Sequence, residues 1–249
     1  MKIIKKTNPK NTKKDKIKPV AKTKKTLAKN PYSKIQPKTK KPHTEIFLIR
    51  HCNPDYSLQK KLGDRLMPLS KAGLRQRKFL TEKLLDMDID RVYTSSIKRA
   101  QETAVTYLKK TKKRAVVESG LDEINWSHWR NIKYFNMSEE GRKKRFKGHT
   151  DLDRDLDVLQ ADVRRVFANI YKDNIGKRVA VFCHGNLIRA LLTGILNADI
   201  IGFLSMEIFQ SSISEIIIDK EGYIKITFIN DVNHLPSMPK KEFFNNPAE

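Results

Sequence analysis

Apolar and polar positions change period several times along this chain, and the changes predict its elements. Glu45-Ile46-Phe47-Leu48-Ile49 is a nearly continuous apolar run, which suits a short central strand covered on both faces. Residues 70–87 read as a helix. Ser70 can cap its start, and Leu74, Leu80, Leu84 and Leu85 recur near helical spacing. Residues 90–94 predict a second strand, 98–110 a helix and 114–118 a third strand. Leu159, Val163, Val166, Phe167 and Ile170 form one amphipathic stripe. Residues 178–183 predict another central strand, followed by an apolar helix at 186–196. Residues 213–219 and 223–229 predict a hairpin around Lys220-Glu221-Gly222. Strands alternating with helices argue for an α/β domain, a three-layer α/β/α sandwich. Its central sheet should be mostly parallel, with an antiparallel strand added at the edge by the last hairpin. Ligands bind such sheets at the carboxyl ends of the strands. The chain has no internal repeat and no glycine loop of the Walker or dinucleotide type.

Charge divides the chain. Residues 1–44 hold sixteen lysines against one acid, Asp15, and so carry +15 of the formal +23; the rest carries +8. Few large apolar side chains, self-repelling charge and Pro9, Pro19, Pro31 and Pro37 predict a disordered basic tail. A globular domain is expected at 45–235 and a flexible C-terminal tail at 236–249. The basic tail has no apolar run like that of a secretory signal and no arginine, unlike a mitochondrial presequence. No stretch approaches the ~18 apolar residues of a membrane span. The tail suits nonspecific contact with RNA, DNA or anionic lipid, although biased composition without a partner gives the same pattern. Cys52 and Cys183 fit neither a disulfide framework nor zinc spacing, so a reducing, cytoplasmic setting is expected.

Two histidines end predicted strands. His51 follows Leu48-Ile49-Arg50, and His184 stands in Val181-Phe182-Cys183-His184-Gly185. Arg99 lies near the start of the helix that opens after Tyr93-Thr94-Ser95-Ser96, where an anion is already favoured. Each residue alone has a plain structural explanation, and Glu123 in a loop says nothing by itself. Asp122 beside it serves as the natural control.

Together these residues give the chain, from about Glu45 to Leu235, a resemblance to the histidine phosphatase, or phosphoglycerate mutase-like, superfamily. The resemblance rests on Arg50-His51, on Ser95-Ser96-Ile97-Lys98-Arg99-Ala100-Gln101-Glu102-Thr103-Ala104, on Glu123 and on His184-Gly185. Pro68-Leu69-Ser70-Lys71-Ala72-Gly73 also looks like the family's segment before its first helix. The resemblance implies hydrolysis of phosphate monoesters through a phosphohistidine on His51. Arg50, Arg99, His184 and Gly185 would bind the phosphoryl group, and Glu123 would exchange a proton with the leaving group. Trp126 and Trp129 could supply an apolar wall beside that acid. No cofactor is implied. Two histidines and a glutamate can also bind zinc, but the accompanying arginines oppose a metal.

The chain departs from the family at Cys52, where glycine is usual. Loss of glycine restricts positive φ and close approach to a ligand, which questions the shape of the phosphate pocket. Cys52 and Cys183 each adjoin a proposed catalytic histidine, so redox control stands beside simple burial. A lid is expected at about 130–157, carrying Arg130, Lys133, Arg142, Lys143, Lys144, Arg145 and Lys147. It is shorter than in the glycolytic mutases and lacks their proline-rich stretch, which favours a phosphatase over a mutase. The expected substrate is a phosphorylated small molecule. The alternatives are a phosphoprotein substrate, a mutase-like phosphotransferase, and a catalytically weak scaffold that binds polyanions through its tail.

Overall fold

The apolar run at 45–49 forms the middle of β1 (His43–Arg50). Successive side chains of a strand point to opposite faces, so a run apolar at every position needs cover on both sides. Ile46 and Leu48 enter one buried layer, and Phe47 and Ile49 the other. The computed structural model describes residues 43–125, 136, 138–141 and 151–236. Residues 1–42 and 237–249 lie outside them. So do Trp126, Trp129 and most of the expected lid, including the seven basic residues named above.

The other strands are β2 (Arg91–Thr94), β3 (Ala115–Val117), β4 (Arg178–Cys183), β5 (Ile213–Asp219) and β6 (Ile224–Asp231). They join one six-stranded sheet in the order β3-β2-β4-β1-β5-β6. The pairs β3/β2, β2/β4 and β4/β1 are parallel, and β1/β5 and β5/β6 are antiparallel. The expected mostly parallel sheet is therefore present. The reversed strand is β5, one in from the edge, and β6 completes the hairpin outside it.

Helices α1 (Gln59–Leu66), α2 (Lys71–Leu85), α3 (Lys98–Thr111), α4 (Asp151–Asp173), α5 (Gly185–Ile195) and α6 (Ile200–Ser205) follow in chain order. Leu80, Leu84, Ala104 and Tyr107 of α2 and α3 cover the Phe47 face. Phe167, Ile170, Leu187, Ile188 and Phe203 of α4, α5 and α6 cover the Ile46 face. The stripe of α4 is thus confirmed, but its helix begins earlier than the stripe implied. Residues 151–157, expected at the end of the lid, form its first turns, and Leu156 is buried in the core. In α2 the inward residues are Gly73, Leu80, Thr81 and Leu84, whereas Leu74 and Leu85 stay exposed. No helix among the described residues is long and apolar enough to cross a membrane.

Two helices lie outside the predicted elements. α1 buries none of its residues and is interrupted at Gly63, whose φ is 74°. α6 has six residues and starts on Asp199, whose side chain accepts from the amides of Ile201 and Gly202.

The carboxyl ends of the inner strands are laced together. The amide of His51 donates to Cys183 O at 3.0 Å, and that of Ser95 to Phe182 O at 3.0 Å. From adjacent strands β1 and β4, α2 departs on one face and α5 on the other. That divergence opens a crevice at the strand ends. α2 is anchored beside it by Ser70, whose Oγ accepts from Gly73 N at 3.1 Å and donates to Asn53 Oδ1 at 2.6 Å. A Cβ at Gly73 would stand 2.1 Å from Asn53 O, and that atom is backbone. Gly73→Ala should therefore destabilise the fold by about 1–3 kcal/mol. Urea unfolding measures this, and an unchanged midpoint would show that α2 shifts freely.

Candidate active site

His51 emerges at the end of β1 and is only 2% exposed. Its Nδ1 lies 2.8 Å from Cys52 O. A carbonyl can only accept, so Nδ1 carries the proton and Nε2 keeps a lone pair. Burial lowers the His51 pKa well below its ordinary 6.5, and His184, Arg50 and Arg99 push it the same way. The ring is therefore neutral, as a nucleophile must be.

Arg99 reaches His51 from the first turn of α3. Its Nε donates to His51 Nε2 at 3.2 Å, and its Nη1 donates to Asp64 O at 2.8 Å and Asp64 Oδ2 at 3.1 Å. Arg50 donates through Nη1 to Ile208 O and lies 3.8 Å from Glu207 Oε1. Arg50 Nε is buried without a partner among the described residues. Gly185 allows this packing, since a Cβ there would stand 3.1 Å from Arg50 Nε.

His184 ends β4, fully buried, with its ring centroid 5.2 Å from that of His51. Its Nε2 contacts Ser95 Oγ at 2.8 Å, and its Nδ1 has no partner among the described residues. Burial lowers its pKa well below 6.5, and Arg99, Arg50 and Arg65 reinforce this against Asp122. Glu123 Oε1 accepts from the amides of Ile124 at 3.1 Å and Asn186 at 3.2 Å. Burial nevertheless raises its pKa, against the pull of Arg50 and Arg99. Ligand atoms of His51, Glu123 and His184 lie within 4.8 Å of one another. Such a triad can in principle hold a cation. Here Arg99 already occupies the lone pair of His51 and Arg50 adjoins the cluster, so the site is better built for an anion.

Arg50, His51, Arg99 and Glu123 line a cavity of about 560 Å³, together with Tyr56, Gln59, Asp64, Met67, Ile124, Asn125 and Asn186. A larger cleft of about 880 Å³ lies between α4, α5 and the β5–β6 hairpin. It is mainly apolar and far from this chemistry, so size alone would have selected the wrong place.

The sequence profile of the histidine phosphatase superfamily (branch 1) matches residues 46–232. The chain belongs to this superfamily. A probable phosphatase of Schizosaccharomyces pombe is 29% identical over 203 residues, covering 78% of this chain and 96% of its own. The metal-independent phosphoserine phosphatase of Arabidopsis thaliana is 25% identical over 208 residues, covering 78% and 84%. Among solved structures, a phosphoserine phosphatase mutant of Entamoeba histolytica in complex with phosphoserine shares the fold. Its TM-score is 0.59 at 20% identity, over 77% of this chain and 99% of that one. This histidine phosphatase is accordingly an enzyme of the phosphomonoester hydrolase class.

All five side chains singled out from sequence converge at the crevice. Sequence reasoning missed Asp64, because α1 was not predicted: Leu58, Leu62 and Leu66 are spaced for a helix, but Gly63 interrupts them. It also treated Asp122 as an inert control. The structure corrects that: Asp122 accepts hydrogen bonds from Ser95, Ser96 and Arg65. Ser95 and Ser96 stood in the quoted motif, and their position after a strand was the available signal.

Cys52 does not line the cavity. Its backbone is outside the left-handed region, and its side chain belongs to the buried apolar cluster that includes Leu69, Leu80 and Leu84. Burial pushes its thiol up to about 12, and burial likewise raises Cys183. Such thiols are protonated and inert, which favours burial over redox control.

Glu123 carries a stability cost. Its folded pKa is raised above 4.5, so the unfolded chain ionises first. The penalty is absent below 4.5 and develops as pH rises through the folded value. Glu123→Gln should therefore raise the melting temperature at neutral pH and abolish turnover. A lower melting temperature would contradict the inferred strain.

Proposed function

We propose that this chain hydrolyses small-molecule phosphate monoesters through a phosphohistidine on His51. The observation that carries this reading is the His51 ring: neutral, with Nδ1–H held by Cys52 O and Nε2 turned to Arg99. Arg50, Arg99, His184 and the Gly185 end of α5 surround the phosphoryl oxygens. Arginine suits the task, since its planar fork donates to two oxygens and stays charged. His51 Nε2 attacks phosphorus, and the ester P–O bond breaks. Charge spreads over the phosphoryl oxygens in a loose transition state, where fixed cations act most strongly. Glu123 gives its proton to the leaving oxygen. A water then attacks phosphorus, Glu123 recovers a proton from it, and the P–N bond breaks to release phosphate.

Phosphoserine-type metabolites are the favoured substrates, supported by the named activity of the Arabidopsis relative. A cytoplasmic setting is supported by two free, buried thiols. The first 44 residues add nonspecific polyanion contact through their +15 charge. A tail-deleted chain should bind RNA more weakly than the full chain, and equal binding would remove that role.

Hydrolysis of p-nitrophenyl phosphate in EDTA tests the catalytic reading. Wild type should turn over, and His51→Ala should lose about 10³-fold or more in kcat. The kcat/KM profile should fall at low pH as His51 protonates and at high pH as Glu123 ionises. Turnover surviving in His51→Ala would overturn the phosphohistidine. Phosphoserine cleaved faster than a phosphoseryl peptide would support the metabolite reading, and the reverse would favour a protein phosphatase.

A further inference from the structure

We propose that Asp122 and Ser95 are positioning residues that hold the His184 proton on Nε2 and so present Nδ1 to the phosphoryl group. The proposal rests on the phosphatase reading above. It follows from a count of donors and acceptors. Asp122 receives Ser95 Oγ at 2.7 Å, Ser96 N at 2.8 Å, Ser96 Oγ at 2.6 Å and Arg65 Nη1 at 2.9 Å. Burial alone would raise its pKa, but the hydrogen bonds from Ser96, Ser95 and Arg65 outweigh that and lower it. Asp122 is thus a carboxylate, which only accepts, and Ser95 spends its single hydroxyl proton on it. Ser95 Oγ also accepts from Ile97 N at 3.0 Å. Its remaining lone pair faces His184 Nε2 at 2.8 Å, so Nε2 must donate.

That leaves Nδ1, a buried nitrogen without a partner among the described residues, as the open atom of the ring. The charged and titratable groups facing His184 come from every neighbouring element. His51 and Arg50 end β1, Arg65 belongs to α1, Arg99 to α3, and Asp122 and Glu123 to the loop after β3. Burial, reinforced by cations that outnumber the carboxylates, keeps the ring neutral in the free enzyme. A phosphate dianion reverses that balance. His184 then takes a proton from solvent onto Nδ1, donates it in a hydrogen bond to a phosphoryl oxygen, and keeps Nε2–H on Ser95. When phosphate leaves, the proton returns to solvent. Asp122 serves this step twice, fixing the tautomer through Ser95 and supplying negative charge to the imidazolium.

The test is ¹⁵N NMR of histidine-labelled full-length protein, with the His184 signal assigned by its loss in His184→Gln. Wild type should show His184 protonated on Nε2 alone, and on both nitrogens after inorganic phosphate is added. Ser95→Ala should lose the fixed tautomer and lower kcat/KM for p-nitrophenyl phosphate about 10- to 100-fold, with Ser95→Thr restoring both. Asp122→Asn keeps an acceptor for Ser95, so the tautomer should survive while the phosphate-induced protonation moves to lower pH. His184 protonated on Nδ1 in free wild type would overturn the proposal. So would a Ser95→Ala protein that retains both tautomer and kcat/KM. A wild type with the Nε2–H tautomer and no turnover on any phosphate ester would sink the phosphatase reading while upholding the relay.

Discussion

Two neutral imidazoles and two guanidiniums are buried together where the parallel strands end, and the rest of the site is arranged around that concentration of donors. A buried cation is costly unless paired. In the free protein, Arg99 is met by Asp64 and Arg50 by Glu207 and a backbone carbonyl. These partners are incomplete. Arg50 Nε and His184 Nδ1 stay unsatisfied among the described residues, and Arg50 lines a cavity large enough for a phosphate and a small leaving group. A phosphate dianion supplies the acceptor that Arg50 Nε lacks, and the negative charge that brings a proton to His184 Nδ1. The same imbalance that strains the free site thus selects its ligand.

The acids around the cluster do different work because their surroundings differ. Glu123 is held by two amide donors and pushed upward by burial, which suits a proton donor. Asp122, its neighbour in sequence, is surrounded by hydroxyl, amide and guanidinium donors and stays ionised. Two adjacent carboxyl groups are therefore shifted in opposite directions, Glu123 upward and Asp122 downward. Asp64 and Arg65 extend the arrangement to α1, which buries no side chain of its own and meets the site through these two ion pairs.

The departure from the family pattern at Cys52 is absorbed by the apolar layer. Its amide donates to Thr103 Oγ1 at 3.0 Å, and its side chain belongs to the buried apolar layer on the α2 and α3 side of the sheet and does not line the cavity. The close backbone approach in this region falls at Gly73 instead, against Asn53 O. A glycine is needed where chains nearly touch, and here that contact is between α2 and the loop after β1.

The sequence alone determined the strands, the amphipathic helices, the layer order and five side chains of the site. Each of those leaves a local trace, in periodicity, in apolar runs or in motif residues placed just after a strand. α1 and α6 went unread, one because Gly63 interrupts the spacing of Leu58, Leu62 and Leu66 and the other because it is too short. The partners Asp64 and Asp122 were also invisible as site residues, since an acid on an exposed helix or in a loop has no signature of its partner. Only tertiary structure decided protonation. His51 and Arg99, Ser95 and His184, and Asp122 and Arg65 meet because the fold brings distant segments together at the strand ends, and a proton's position depends on the donors and acceptors that surround it in space.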